Sequence, residues 1–359
     1  MWPQTDLTQL FGVDLPIILA PMAGPGTAEL AAAVSEAGGL GSLPCAMLSV
    51  DEIKTQTAVI RARTSKPFNL NFFCHTPPEA NEAREAAWKV ALHAYYLELG
   101  LDPDAPVPAA NRAPFSAAHC ELIEELRPPV VSFHFGLPDE SLVRRVKAAG
   151  CIVLSSATTV EEALWLEARG VHVVIAQGYE AGGHRGMFLT DDLATQTGTM
   201  ALVPMIVDAV RVPVIATGGI ADGRGIAAAM ALGASAAQIG TAYLSCPEAK
   251  VAPAYKDALA TSGLTPTALT NVFTGRPARG LVNRAIRELG PVSEIAPAFP
   301  KAAAALAPLR AAAEKQGSGA FSPLWAGQAA ALSRAMPAAD LTRHLAEETG
   351  ERLRHLSRH

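Results

Sequence analysis

The sequence predicts an α/β chain folded as a (β/α)8 TIM barrel, with an inserted and a C-terminal helical cap. Three observations carry this. Eight short apolar runs recur along the chain, most without polar alternation, as parallel strands covered on both faces require. The segments between them are patterned as helices. Several close on a glycine just before the next run, as in "EAGGLGSL", "AAGCIVL", "ARGVHVV" and "LGASAAQIG". Strand and helix in strict alternation mean a parallel sheet, and eight such units favour a closed barrel over an open sheet.

The runs, in order, are 16–21, 39–43, 67–73, 130–136, 151–157, 171–177, 212–219 and 236–244. Between the fourth and fifth, "DESLVRRVKAAG" starts at a capping Asp139 and stops at Gly150. After the fifth, Thr158 and Thr159 are spaced to form capping boxes with Glu161 and Glu162. Two regions break the repeat. Residues 74–129 hold a long helical stretch (81–101), the proline-rich 101–115 and a shorter helix (116–126). An insertion of this length in a barrel is usually a functional lid or subdomain. The chain beyond about residue 256 contains Ala-rich helical stretches. The expected division is therefore a barrel of 1–73 and 130–255, and a cap of 74–129 and 256–359 packed over one end.

Composition narrows the function. Of 359 residues, 50% are apolar and 18% charged, with a net charge of −5, so no basic excess points to nucleic acid. There is no run of eighteen apolar residues and no basic-then-apolar leader, so neither a membrane span nor a secretory signal is expected. The five cysteines are widely spaced without CxxC, which reads as reduced, mostly buried thiols in a cytoplasmic protein, not a disulfide framework or zinc site.

Chemistry in such a barrel sits where strands run out into their C-terminal loops. At the first end, "APMAG" is either a seat for a flat ligand or a tight turn. At the third, alternation puts Asn69 and Asn71 on one face, Leu70 and Phe72 on the other. Asn71, nearer the mouth, can offer donor and acceptor to a heterocycle edge. At the fourth, Ser132 and His134 share the inner face, with Phe133 and Phe135 in the strand–helix layer. An inward histidine is more often structural than catalytic. At the sixth, Gln177 leads into "GYEAGGHRG", whose glycines expose backbone N–H groups to a ligand immediately before His184. Arg185 reads as a solvated or structural charge. The seventh and eighth ends, with Gly218, Gly219, Gly240 and Thr241, fall where these barrels bind phosphate. No dinucleotide fingerprint, P-loop or carboxylate cluster for a metal is present. A phosphorylated flat cofactor is the economical reading.

Together, "LPIILAPMAG", "NLNFF", "VSFHFGLP", "AQGYEAGGHRG", "IATGGIADGRG", "QIGTAYL" and the late "FSPLWAGQAA" resemble the nitronate monooxygenase (2-nitropropane dioxygenase) family, in order over nearly the whole chain. The resemblance implies non-covalent FMN held by Met22, Ala23, Asn71, Gln177, Gly182, Gly183, Gly218, Gly219, Gln238, Ile239, Gly240 and Thr241. It implies His184 as active-site base, with His134 and Met22 beside the substrate. The implied reaction takes an alkyl nitronate, of the propionate 3-nitronate type, and O2 to a carbonyl compound and nitrite or nitrate. A histidine near its ordinary pKa would supply positive charge to the anion. A monomer or homodimer is expected. The chain departs from the family in having no tyrosine after Tyr255, while Tyr95 and Tyr96 either line the pocket or pack. The rival on the same barrel is an FMN-dependent NAD(P)H reductase of enoyl-reductase or quinone-reductase type. A barrel isomerase of a sugar phosphate would lack flavin colour.

Overall fold

A computed structural model describes residues 5–107 and 112–357; part of the proline-rich 101–115 stretch lies outside them. All eight apolar runs are strands of one parallel sheet. With strands numbered in chain order these are β1 (Ile17–Leu19), β2 (Gly41–Pro44), β3 (Phe68–Phe73), β4 (Val130–His134), β5 (Ile152–Ala157), β6 (Val173–Gln177), β8 (Val214–Thr217) and β9 (Ala236–Ile239). The order β1-β9-β8-β6-β5-β4-β3-β2 follows the chain around a ring. The ring closes between β1 and β2. Leu40 N–H donates to the Ile17 carbonyl, and Leu19 N–H to the Leu40 carbonyl, both at 2.9 Å.

Alternation sorts each strand into two environments. Outward residues such as Leu19, Leu70, Phe72 and Val174 join the layer beneath the surrounding helices. Inward residues change character with height. At the lower end Ile18, Leu40, Val130, Leu154, Val173 and Ile215 pack on Leu7 and Phe11, so the N-terminal helix Asp6–Phe11 plugs the barrel. At the upper end the inward residues are polar: Asn69, Asn71, Ser132, Ser156, Gln177, Thr217 and Gln238, all buried. An apolar plug under a polar floor directs any ligand to the C-terminal mouth.

The insertion helix Glu82–Glu98 packs on the C-terminal helix Ala302–Lys315 through Trp88, Leu92, Tyr96, Leu306 and Leu309. Tyr96 Oη donates to the Ala305 carbonyl at 2.6 Å, and Tyr95 stacks edge-on to Phe321, so both tyrosines pack inside the cap. Two helices placed with the cap by sequence sit on barrel helices instead. Ala117–Leu126 is tied to Glu140–Ala148 by the paired Arg145–Glu124 contacts at 2.8 Å. Ala338–Leu356 packs on Gly223–Ala231 and meets the barrel through Tyr243–Thr342 (2.8 Å) and Glu348–Gly223 N–H (2.8 Å).

Three short strands escaped the sequence reading. β7 (Gly183–His184), β10 (Thr267–Thr270) and β11 (Ala278–Leu281) form an antiparallel sheet in the order β10-β11-β7, pairing Ala278 with His184. The two-residue β7 carries no periodicity, so only its partner reveals it. The capping expectation after β5 also changes. Thr159 caps its helix as expected, but the buried Glu162 accepts from Thr158 and, with its other oxygen, from Phe188 N–H at 2.6 Å. A residue read as a local cap thus anchors the loop after β7. Among the described residues no helix is long and apolar enough to cross a membrane, and the five cysteines are unpaired.

Candidate active site

The barrel mouth holds a cleft enclosing about 1250 Å³ of atom-free space, including the part open to solvent. Met22, Ala23, Asn71, His134, Gln177, Gly182, Gly183, His184, Gly218, Gly219, Gln238, Gly240 and Thr241 all line it. Ile239 does not. It lies between inward Gln238 and the mouth, so alternation turns its side chain into the helix layer, where it is fully buried.

The loop after β6 is built around Gln177 and Arg185. Gln177 Nε2 donates to the His184 carbonyl at 2.9 Å, and its Oε1 accepts from Gly186 N–H at 2.7 Å. Arg185 is fully buried, not solvated. It donates to the Gly178 and Gln177 carbonyls at 2.6 and 2.8 Å and to Gln196 at 2.9 Å. A Cβ on Gly182 would lie 2.5 Å from Gly327 N, and one on Gly186 would lie 2.8 Å from His134 Cε1. Those glycines let the loop sit between the C-terminal segment and β4.

The two histidines do different things. His184 Nε2 lies 3.0 Å from Thr274 Oγ1, whose own proton reaches the Arg276 carbonyl at 3.4 Å. With the proton so assigned, Nε2 carries the ring hydrogen. Nδ1 is then the basic nitrogen, with no hydrogen-bond partner among the described residues. His134 has its Nδ1 2.6 Å from Ser156 Oγ. His134 therefore borders the cleft as part of its wall, with Nδ1 tied to Ser156, while the His184 backbone is held by Gln177.

An aromatic box surrounds them. Phe73, Phe135 and Phe299 pack on one another, and Phe299 approaches His184 at 5.3 Å and His75 at 4.8 Å between ring centroids. Trp325 closes the far side of His184 at 5.5 Å. Phe135 is not in the strand–helix layer that alternation assigned to it. β4 ends at His134, and Phe135 takes φ +69°, a costly conformation for an aromatic residue. That turn swings its ring back over His134, centroids 4.4 Å apart.

Burial drives all three box histidines below their ordinary value of 6.5, assisted by arginine charge. His134 falls to about 3, with Arg276 as second cause, and His75 to about 4, again with Arg276 second. His184 is pushed well below 6.5 by burial, then by Arg112 and by His134. The expectation of a histidine near its ordinary pKa is thus corrected: the rings are neutral. The positive charge belongs to Arg112, which borders the cleft, and Arg276, whose guanidinium stacks 4.2 Å from the Phe135 ring centre. No aspartate or glutamate borders the cleft.

A stability consequence follows. Below pH 6.5 the unfolded chain takes up protons at these rings and the folded one does not, so stability is lost as pH falls from 6.5 toward 4. Each ring contributes about 1.4 kcal/mol per pH unit once pH is well below 6.5. Urea unfolding of the flavin-free protein at pH 7 and pH 5 should show the loss, and His75→Gln should make it shallower. An identical slope in that variant would remove His75 from the account.

Sequence reasoning missed His75, Arg112, Thr274, Arg276, Phe299 and Trp325. Each is isolated in sequence, and Thr274 meets His184 across 90 positions.

The family model for nitronate monooxygenase matches residues 4–348. A nitronate monooxygenase of Pseudomonas aeruginosa is 45% identical over 95% of this chain and 98% of its own length. A crystal structure of a nitroalkane oxidase from Streptomyces ansochromogenes superposes with a TM-score of 0.90 at 40% identity, covering 98% of this chain and 99% of that one. FabK from Thermotoga maritima superposes at 0.76 with 28% identity, covering 99% of both chains.

Proposed function

Because this chain belongs to the nitronate monooxygenase family, a family of oxidoreductases, we propose that it catalyses FMN-dependent oxidative denitrification of an alkyl nitronate, of the propionate 3-nitronate type, by O2. The products are a carbonyl compound and nitrite or nitrate. The observation that carries this reading is a single cleft joining a neutral His184 whose Nδ1 has no partner among the described residues, an arginine, Arg112, with no carboxylate in the described lining, and a polar, glycine-edged floor.

The floor suits FMN. Gly219, Gly240 and Thr241 border the cleft, and their N–H groups find no backbone acceptor among the described residues, leaving donors for a phosphate. Gly218 and Gly219 take φ of +114° and +68°, and a Cβ on Gly240 would sit 3.4 Å from Ala20 Cβ. These positions let a flat ring system lie against backbone. Asn71 Nδ2 is held by Ser132, which leaves its carbonyl oxygen as an acceptor; Gln238 adds a second amide beside it. Bound there, FMN supplies the electron-transfer and oxygen chemistry that no side chain can.

The protein's own part is binding, charge and proton control. The Arg276 cation behind Phe135 and the absence of carboxylates favour an anionic nitronate over its neutral nitroalkane. When a nitroalkane does enter, His184 Nδ1 takes its α-proton and Thr274 holds Nε2 in place. Phe73, Phe135, Phe299 and Trp325 exclude water from that exchange.

The test is a visible spectrum of the purified protein under argon, before and after propionate 3-nitronate, and separately NADH. A yellow protein whose flavin bands change with the nitronate and stay oxidised with NADH supports the proposal. Rapid bleaching by NADH alone transfers the chain to the reductase reading.

A further inference from the structure

Among the described residues Arg112 is the one cleft residue contributed by the inserted region between β3 and β4, and no anion is paired with it. Its Nε and Nη1 are buried and have no hydrogen-bond partner. The group facing it most closely is aromatic: its guanidinium lies 5.6 Å from the centre of the Phe299 ring. The charged and titratable groups around it are Arg310, His75 and His184. Arg310 repels it and is itself paired with Glu314 at 2.8 Å. The Arg112 charge acts on both His75 and His184, which places the arginine at the histidine end of the cleft. Burying donors of a charged fork without acceptors is costly, and native proteins keep such a group where a ligand completes it.

The reacting nitronate already has a place, at His184 Nδ1 and in the field of Arg276. Arg112, which lines the cleft and has no carboxylate paired with it among the described residues, is a second, separate cation in the same cleft. We propose that Arg112 is a specificity-determining residue, whose guanidinium receives a carboxylate on the substrate's carbon chain. The preferred substrate is then a dianion, with a nitronate at one end and a carboxylate at the other. Along one edge the planar guanidinium offers a carboxylate two parallel donors, Nη2 together with Nε or with Nη1, which an ammonium cannot do. This inference rests on the nitronate reading above and adds which group on the substrate is read, and by what.

The experiment compares wild type, Arg112→Met and Arg112→Lys on propionate 3-nitronate and on ethylnitronate, which has no carboxylate. The expected result is a fall of at least about tenfold in the ratio of kcat/KM values, carboxylated over plain, in Arg112→Met. The change should lie mainly in KM, with partial recovery in Arg112→Lys. Retained flavin absorbance shows that each variant is folded. An unchanged ratio, whether both substrates slow together or neither does, overturns the proposal and leaves the nitronate reading standing. Binding of 3-nitropropionate under argon, followed by calorimetry, gives an arm that needs no turnover. Affinity weakened about tenfold or more in Arg112→Met supports the assignment even if no nitronate is oxidised; equal affinity refutes it.

Discussion

Replacing His184 with asparagine is expected to lower kcat on a neutral nitroalkane by about 10²–10⁴-fold, and to slow a preformed nitronate far less. Among the described residues no carboxylate borders the cleft, and His134 Nδ1 is taken up by Ser156. His184 Nδ1 lines the cleft with no hydrogen-bond partner among the described residues, its ring neutral because burial and Arg112 oppose protonation; His75 Nδ1 is also unpartnered, but His75 does not line the cleft. A base whose pKa lies well below 6.5 is already unprotonated at neutrality. Activity on nitroethane should therefore be flat from about pH 6.5 upward and fall only in acid as the ring takes up its proton. Steady-state rates on nitroethane and on ethylnitronate, measured side by side, decide the matter. An equal loss on both substrates would make the ring a positioning group instead of a base. Flavin content should be unchanged, because the ring is held by Thr274, away from the glycine edge.

What the sequence made legible, and what it hid, divides along one physical line. The eight strands could be read because a parallel strand buried on both faces is a continuous apolar run, as in "VHVVIAQ" and "VPVIATGG". The mouth residues could be placed because strand ends are local: Asn71, Gln177, Gly219 and Gln238 each follow their own strand. Ile239 was misplaced by treating a motif as a unit, although alternation alone turns it outward. Phe135 broke the alternation rule because β4 stops one residue earlier and the chain enters a left-handed turn. The charge of the histidines was hidden because it depends on burial under Phe299 and Trp325 and on two distant arginines, none of which has a local signature. Arg112 and Arg276 are ordinary charged residues in sequence. Only the fold sets them around one box.

Replacing Gly219 with valine is expected to yield folded protein that purifies with little FMN, its affinity reduced at least about tenfold. Two costs act at this position. The backbone sits at φ +68°, where a β-branched residue is strained by about 1–2 kcal/mol. A Cβ there would also lie 3.1 Å from Glu180 Cβ and 3.4 Å from its Cγ. Glu180 cannot give way freely. Its carboxylate accepts from Thr199 N–H and Oγ1 at 2.8 Å, and its carbonyl accepts from Gln328 N–H at 3.0 Å. The backbone at 219 must move instead, and with it the N–H groups assigned to the phosphate. Gly100 separates the two costs. It also has φ +68°, at the end of the insertion helix, with nothing within 4 Å of a Cβ. Gly100→Val should therefore lose about 1–2 kcal/mol of stability in urea and keep its flavin. If Gly219→Val retained a full complement of FMN, the phosphate would have to be held elsewhere on the rim, and Gly240 with Thr241 would be the place to look. If both variants lost flavin alike, backbone strain and global stability would explain the effect, and position 219 would have no special claim on the cofactor.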